Sequence, residues 1–507
     1  MTPLHANLGR CFDASVASGK LAVIDLRDWE RPVEVSYAAL DAQCDAVARG
    51  LVARGLQRGD RVGILSLNRV ELLAAYFGSM RAGMVAVPIS FKLSRETIDH
   101  IVRDADLRAV FHDRERADLC PDGLLRFDFD APGGYQSMLD PGPFESFEPT
   151  GRELGMMLYT SGSTGKPKGV LLSHASQRWS LETSLRTYGE RPQHRYIVAA
   201  PMFHMNATIS VKGALASGAS IVLLPSFDAR KYALAIERFR VTWLTSVPTM
   251  LALVAREREL TGGLDFSSVT NVTMGSAPLT QAMVDKVQAL FPKALINNSY
   301  GTTEAGPSPF GPHPDGVTRP ATSLGYPLPG ALAELREGPD DNEGVLYMKS
   351  PMRMEGYNKL PQKTAEVMRD GWYRSGDIAR RDADGFFYFL GRADDMFVVG
   401  GENVWPGEVE RLIERVPGVH QATVVPVSDE IKGKLPFAFV VRQADADVTE
   451  AEIKAFTIAH GPAYAHPRLV EFRDEIPLAA TNKPDRNRMT SEAEVIARAR
   501  RPGAGAA

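Results

Sequence analysis

The segment Tyr159 to Val170, YTSGSTGKPKGV, gathers glycines at 162, 165 and 169, the hydroxyls of Thr160, Ser161, Ser163 and Thr164, and the ammonium groups of Lys166 and Lys168. Glycines let backbone N–H groups approach an anion, hydroxyls donate to it and lysines supply charge, so the chemistry on offer is that of a polyphosphate cradle. It is not a P-loop. That motif needs four residues between its glycines and a Ser or Thr after its lysine, whereas here only Ser163 and Thr164 separate Gly162 from Gly165, and Pro167 follows Lys166. The apolar GMMLY before the glycines and VLLS after them read as strands, so the loop joins strand to strand. Pro167 keeps it from running on into a helix. A solvated hairpin has the same composition.

The elements that must position such a loop come from the rest of the chain. At 507 residues it calls for one large domain built of subdomains and at least one smaller unit. From Ser36, helical spacing in SYAALDAQCDAVARGLVARGL gives way to a short apolar strand, RVGILSL, and the alternation repeats through RVELLAAYFGSMRAG, VAVPIS, SRETIDHIVRDA, LRAVFHD, ALAIERFRV and TWLTSVP. Such βα alternation predicts an α/β fold of mainly parallel sheets covered by helices, with no fixed-period repeat. After about Gly338 the strands shorten, and Asp384 and Gly385 mark a hairpin turn in GWYRSGDIARRDADGFFYFLG. GRADD, Gly391 to Asp395, interrupts the apolar pattern and is the expected domain boundary; a small α+β domain follows. The expected limits are 1–391, a hinge at 392–395, a C-terminal domain at 396–495 and a disordered tail at 496–507.

A formal net charge of −4 offers no overall attraction to nucleic acid or anionic membranes, which leaves small molecules as the expected partners. Cys11, Cys44 and Cys120 are scattered and form no C-x-x-C pair, so neither a disulfide framework nor a structural zinc site is expected. The N-terminus lacks the pattern of a signal peptide, and no apolar run is long enough to span a membrane. A cytoplasmic protein, monomer or homodimer, is expected.

The loop from Thr160 to Gly169 resembles the signature of the AMP-forming acyl-CoA synthetases of the adenylate-forming superfamily. The resemblance continues in the family's order through APMFH (200–204), GSAPL (275–279), YGTTE (300–304), WYRSGD (372–377), GRADD (391–395), GGENVWPGEVE (400–410) and Lys483, and so covers essentially the whole chain. It implies a large N-terminal domain of layered βαβ subdomains with a β-barrel-like part, and a small mobile C-terminal domain. It also implies an ATP-dependent carboxylic acid:CoA ligase, with ATP, Mg²⁺ and coenzyme A taking part. The chemistry is coherent: a carboxylate is a poor electrophile until it is joined to AMP, after which a thiol can displace AMP.

The site residues follow from the same resemblance. Thr160, Ser161, Gly162, Ser163, Thr164, Gly165 and Lys168 would hold the ATP phosphates, with Thr302 and Thr303 as further donors and Glu304 as the Mg²⁺ ligand. Gly275, Ser276, Ala277, Ser299, Tyr300 and Gly301 would surround the adenine, Tyr300 by stacking. Asp377, assisted by Arg392, would accept the ribose hydroxyls; Ser375 replaces the family's usual Thr there. Lys483 would bridge the carboxylate and the α-phosphate, although Asn482 and Pro484 depart from the usual Gly and aliphatic. The acyl group would meet His204, Met205, Asn206, Ser246, Val247, Ala277, Ala305, Gly306 and Pro307, a slot suited to a small aromatic or a short to medium aliphatic acid, with His204 gating pantetheine. Asp394 would be the hinge, and Gly400, Gly401, Glu402 and Asn403 would line the CoA tunnel. Arg240 lies near the place of a carboxylate-binding arginine in dicarboxylate-using relatives, and it equally suits a basic helix end. Alternatives are a stand-alone adenylation enzyme loading a carrier protein, a dicarboxylate (malonate-type) CoA ligase, a non-catalytic nucleotide sensor and an oxygen-dependent light emitter.

Overall fold

A computed structural model describes residues 4–12, 19–160, 166–400, 402–478 and 484–500, without the side chain of Asn403. The chain divides into two compact units, one of residues 1–333 and 347–375, the other of 334–346 and 376–507.

The first unit holds two seven-stranded sheets. In one, the neighbouring strands Leu295–Ser299, Asn271–Gly275, Trp243–Ser246, Arg195–Val198, Ser220–Leu223 and Leu21–Asp25 run parallel, and Val33–Ser36 closes the edge antiparallel. In the other, Leu125–Asp128, Leu107–His112, Arg61–Leu65, Val85–Pro88 and Leu154–Thr160 are parallel, and Lys168–Ser173 and Gly356–Tyr357 add antiparallel strands. The helices read from the sequence are present. Ser36 caps Tyr37–Ala53 by accepting from the Ala39 N–H, and Ser94 does the same for Arg95–Asp104 through Thr97. Burial explains the continuous apolar strands: Val85–Pro88 and Ser220–Leu223 are buried throughout, as strands covered on both faces must be. The core packs Tyr37, Tyr76, Phe77 and Tyr135 between helices and sheet.

The second unit begins in antiparallel strands. The part expected to be barrel-like lies in a five-stranded sheet, Leu332–Asp340, Glu343–Lys349, Trp372–Arg381 and Met368–Arg369 with Phe387–Arg392 on Trp372–Arg381, through whose strands the division between units runs. The Asp384–Gly385 turn is formed, with the Gly385 N–H bonded to Asp382 and Gly385 at φ +83°. Beyond it come the hairpin Phe397–Val399 and Glu402–Val404, the helix Pro406–Ile413, the long pair Val419–Asp429 and Gly433–Arg442, and the helix Glu450–His460 with a complete Thr449/Glu452 capping box.

Between the two compact units the chain passes from one to the other at Ser375/Gly376. The helix Arg486–Ala499, with Met489, Ala493 and Ala497 buried, runs past residue 496, where the tail was expected to begin; residues 501–507 lie outside the described residues.

Candidate active site

Parallel strands leave their carboxyl ends open for ligands. In the first sheet the motifs APMFH, GSAPL and YGTTE follow directly from Arg195–Val198, Asn271–Gly275 and Leu295–Ser299, with Ser246–Val247 at the end of the strand between. Segments more than a hundred residues apart in sequence therefore share one edge. The cradle emerges from the other sheet, where Thr160 ends one strand and pairs in register with Lys168 at the start of the next. Strands flank the glycine-rich segment on both sides; Ser161, Gly162, Ser163, Thr164 and Gly165 themselves lie outside the described residues. Lys166 is exposed, and His100 Nε2 lies 3.3 Å from the Pro167 carbonyl.

The two sheets meet at Glu304. Its carboxylate, 9% exposed, receives hydrogen bonds on Oε1 from Thr160 Oγ1 at 3.4 Å and Tyr357 Oη at 3.1 Å. The Glu304 carbonyl accepts from Met354 N–H at 2.7 Å. Thr302 folds the turn that presents it: its hydroxyl accepts from Ala305 N–H at 2.9 Å, and its carbonyl from Gly306 N–H. Gly306 has φ +107°, and a Cβ there would lie 2.0 Å from Met352, so no other residue fits. Tyr300 meets Phe310 edge to face with centroids 5.9 Å apart, which holds one edge of its ring. Gly275 lies so close to Ser299 that a Cβ would come within 2.5 Å of the Ser299 carbonyl.

Ser276 adopts φ +65°, a conformation costly for a residue with a Cβ, and its hydroxyl accepts from Asn206 Nδ2 at 3.4 Å. This bond joins GSAPL to the helix Met205–Ala216, whose N-cap is His204; the His204 ring packs on Phe203. Asn206, Ala277 and Val247 are half-buried at the strand ends. Three of the residues expected at the acyl pocket are buried. Ser246 is 1% exposed and its hydroxyl bonds Tyr232 at 2.8 Å, because strand alternation turns it toward the helix Ala229–Arg238. Met205 is buried in the core, and Ala305 is buried with its carbonyl accepting from Ser350. Arg240 sits before the strand Trp243–Ser246, at the opposite end from the motifs, and forms an exposed pair with Asp265 at 2.7 Å.

In the second unit Asp377, 6% exposed, faces Arg392 across the antiparallel ladder, and Nη1 donates to Oδ1 at 2.8 Å. Arg392 also reaches Asp394, in the 3₁₀ turn Ala393–Asp395, at 3.4 Å. Gly376, at φ +70°, leaves room for that guanidinium. Gly400, at φ +60°, opens the hairpin that pairs Val399 with Glu402, and its N–H bonds the Lys432 carbonyl. Gly401 lies outside the described residues, as does Lys483. The ends of the Lys483 segment are pinned: Leu478 bridges Pro484, and the Asp485 N–H bonds the Pro477 carbonyl. The motifs do not single out Arg486, whose guanidinium ties Asp395 (3.3 Å), Glu410 (2.8 Å) and the Val424 carbonyl (2.7 Å) together.

Residues 13–358 match the AMP-binding enzyme family and residues 408–483 the AMP-binding enzyme C-terminal domain. The chain belongs to the AMP-binding enzyme family. Over 462 residues it is 33% identical to a feruloyl-CoA synthase of Amycolatopsis sp, spanning 89% of this chain and 92% of that protein. The solved structure of the anthranilate CoA ligase AuaEII in complex with anthranoyl-AMP superposes with a TM-score of 0.88 at 25% identity, covering 98% of each chain. ATP-bound MatB from Rhodopseudomonas palustris gives 0.84 at 28% identity, covering 97% of this chain and all of that one.

The residues of this AMP-binding enzyme fit a magnesium ion. Among the described residues no group of three or more His, Cys, Asp or Glu side chains could hold a metal, so a protein cage is absent there. A single hard carboxylate, such as Glu304 at the end of the glycine-rich link, is the kind of group that shares Mg²⁺ with the phosphates of a nucleotide.

Proposed function

We propose that the protein is an ATP-dependent carboxylic acid:CoA ligase of the AMP-forming kind. The contact between Thr160 and Glu304 carries this reading, because it brings the end of the glycine-rich loop and the carboxylate of YGTTE to one point. In the first half-reaction a substrate carboxylate oxygen attacks the α-phosphorus of ATP and pyrophosphate leaves. In the second, the CoA thiol, giving up its proton, attacks the acyl carbonyl and AMP leaves. The loop from Thr160 to Lys168 orients the leaving phosphates, Tyr300 lies against the adenine, and Asp377, held by Arg392, accepts from the ribose hydroxyls. Mg²⁺ on Glu304 would supply positive charge to the leaving pyrophosphate. Lys483 places an ammonium between carboxylate and α-phosphate. Asp394 is the hinge for a second arrangement, in which Gly400, Gly401, Glu402 and Asn403 approach the pantetheine arm.

The acid is a small aromatic one or a short to medium aliphatic one. Asn206, Val247 and Ala277 at the strand ends fit such a slot, and the similarity to a feruloyl-CoA synthase and an anthranilate CoA ligase supports the aromatic choice. The pairing of Arg240 with Asp265 weighs against the dicarboxylate alternative. ATP–pyrophosphate exchange over a panel of acids, repeated as thioester formation with CoA and with a phosphopantetheinylated carrier protein, tests the reading. Exchange and CoA thioester are expected with an arylcarboxylate. Exchange without CoA thioester would leave the carrier-loading enzyme, and no exchange with any acid would leave the sensor. Lys483→Ala is expected to abolish exchange while thioester formation from preformed acyl-AMP persists.

A further inference from the structure

Tyr357 belongs to none of the motifs discussed above, yet it touches both arms of the site. Its strand, Gly356–Tyr357, lies antiparallel on Lys168–Ser173, with Tyr357 opposite Val170, and the next residue sends its N–H to the Gly169 carbonyl at 2.8 Å. Its phenol donates to Glu304 Oε1 at 3.1 Å, and Lys168 Nζ stands 4.4 Å from the centre of its ring. The ring is nearly buried, and the Thr364 hydroxyl accepts the Tyr357 N–H. The side chain therefore has a fixed position and a fixed direction.

We infer that Tyr357 is a positioning residue for the metal carboxylate: the Lys168–Tyr357–Glu304 chain fixes Glu304 with Oε1 turned to the protein and Oε2 presented to the cation bound with ATP. The proposal rests on the ligase reading. Its physical basis is threefold. A phenol donating to a carboxylate makes a strong, charge-assisted hydrogen bond, more so beside a low-dielectric interior. A cation on the π face draws electron density from the ring and so strengthens the O–H donor. A side chain held on one oxygen loses little further rotamer freedom when a metal takes the other, so the metal binds with less ordering cost.

The test compares wild type with Tyr357→Phe, which keeps the ring and the lysine contact and removes only the hydroxyl. Binding of ATP is measured by calorimetry with and without Mg²⁺, and binding of Mn²⁺ in the presence of ATP by electron paramagnetic resonance. The expected result is a loss of about tenfold in metal affinity, with ATP affinity in the absence of metal unchanged. In exchange assays the Mg²⁺ concentration for half-maximal rate should rise by a similar factor, and thioester formation from preformed acyl-AMP should be unaltered. If Tyr357→Phe fails to fold, 3-fluorotyrosine at position 357 keeps every atom of the bond; a sharper donor should then shift the metal affinity without shifting metal-free ATP binding. Unchanged metal affinity in either variant overturns the role, even if thermal stability falls. Absence of exchange in the wild type with every acid would instead remove the ligase reading, so the two failures are distinct.

Discussion

Glu304 in the first unit and Asp377 in the second are both nearly buried carboxylates, 9% and 6% exposed, yet their partners differ in kind. Glu304 is held by the hydroxyls of Thr160 and Tyr357, Asp377 by the guanidinium of Arg392. Hydroxyls orient a carboxylate and leave its charge for something else; a guanidinium cancels the charge at close range. The first arrangement suits a divalent cation. The second suits neutral hydroxyls such as those of a ribose, which need an acceptor and no net charge. On the proposed reading, two acidic residues of similar burial would serve different ligands because of what donates to them.

The most severe way to break this contrast is to remove the charge of Glu304. Glu304→Gln is expected to lower pyrophosphate exchange by about two orders of magnitude or more, with metal-free ATP binding unaltered by calorimetry. Asp377→Asn is expected to raise the KM for ATP by about tenfold with a smaller loss in kcat, as for loss of a charged acceptor. If Glu304→Gln changed only KM, or Asp377→Asn altered the Mg²⁺ requirement, the assignment of the two carboxylates would fall.

The buried charges of the two units sharpen the contrast through opposite pH slopes. Lys212 is fully buried, donating to Gln177 Oε1 at 2.8 Å, and burial pushes its ammonium down to about 7. Between there and the unfolded value near ~10.4 the unfolded chain binds the extra proton, so stability rises with pH across that window. Burial pushes Glu414, which accepts the Ala422 N–H, up to about 7. Between its unfolded value near ~4.3 and there the folded chain holds the extra proton, so this contribution is present at low pH and is lost as pH rises through about 7. Urea unfolding at a series of pH values should show Lys212→Met flattening the alkaline slope and Glu414→Gln the acidic one, each by on the order of 1 kcal/mol or more per pH unit at the steepest point. The smallest effect expected is from Thr449→Ala, which breaks the capping box of Glu450–His460 and should cost about 1 kcal/mol. In calorimetry it should lower the transition of the second unit alone if the units unfold separately.

Much of this was legible without coordinates. Ser36 before a helical pattern and apolar runs such as VAVPIS are local signals, and both elements formed where they were read. The glycine-rich loop was recognised as a strand-to-strand link because Pro167 and the apolar flanks exclude a helix. The acyl pocket was less legible. Ser246, Met205 and Ala305 are buried, and which way a side chain turns depends on what packs against it, as the helix Ala229–Arg238 does against Ser246. Tyr357 carried no signal of its own, because an aromatic residue after a glycine usually serves a core.

The sequence by itself determined the family, the order of motifs and the alternation of elements, since each is written in residue types at short spacing. Only the tertiary structure decided which motifs meet. Strand order is set by packing between segments hundreds of residues apart, and it alone placed Thr160, Glu304 and Tyr357 within hydrogen-bond reach and Arg240 at the far end of the sheet.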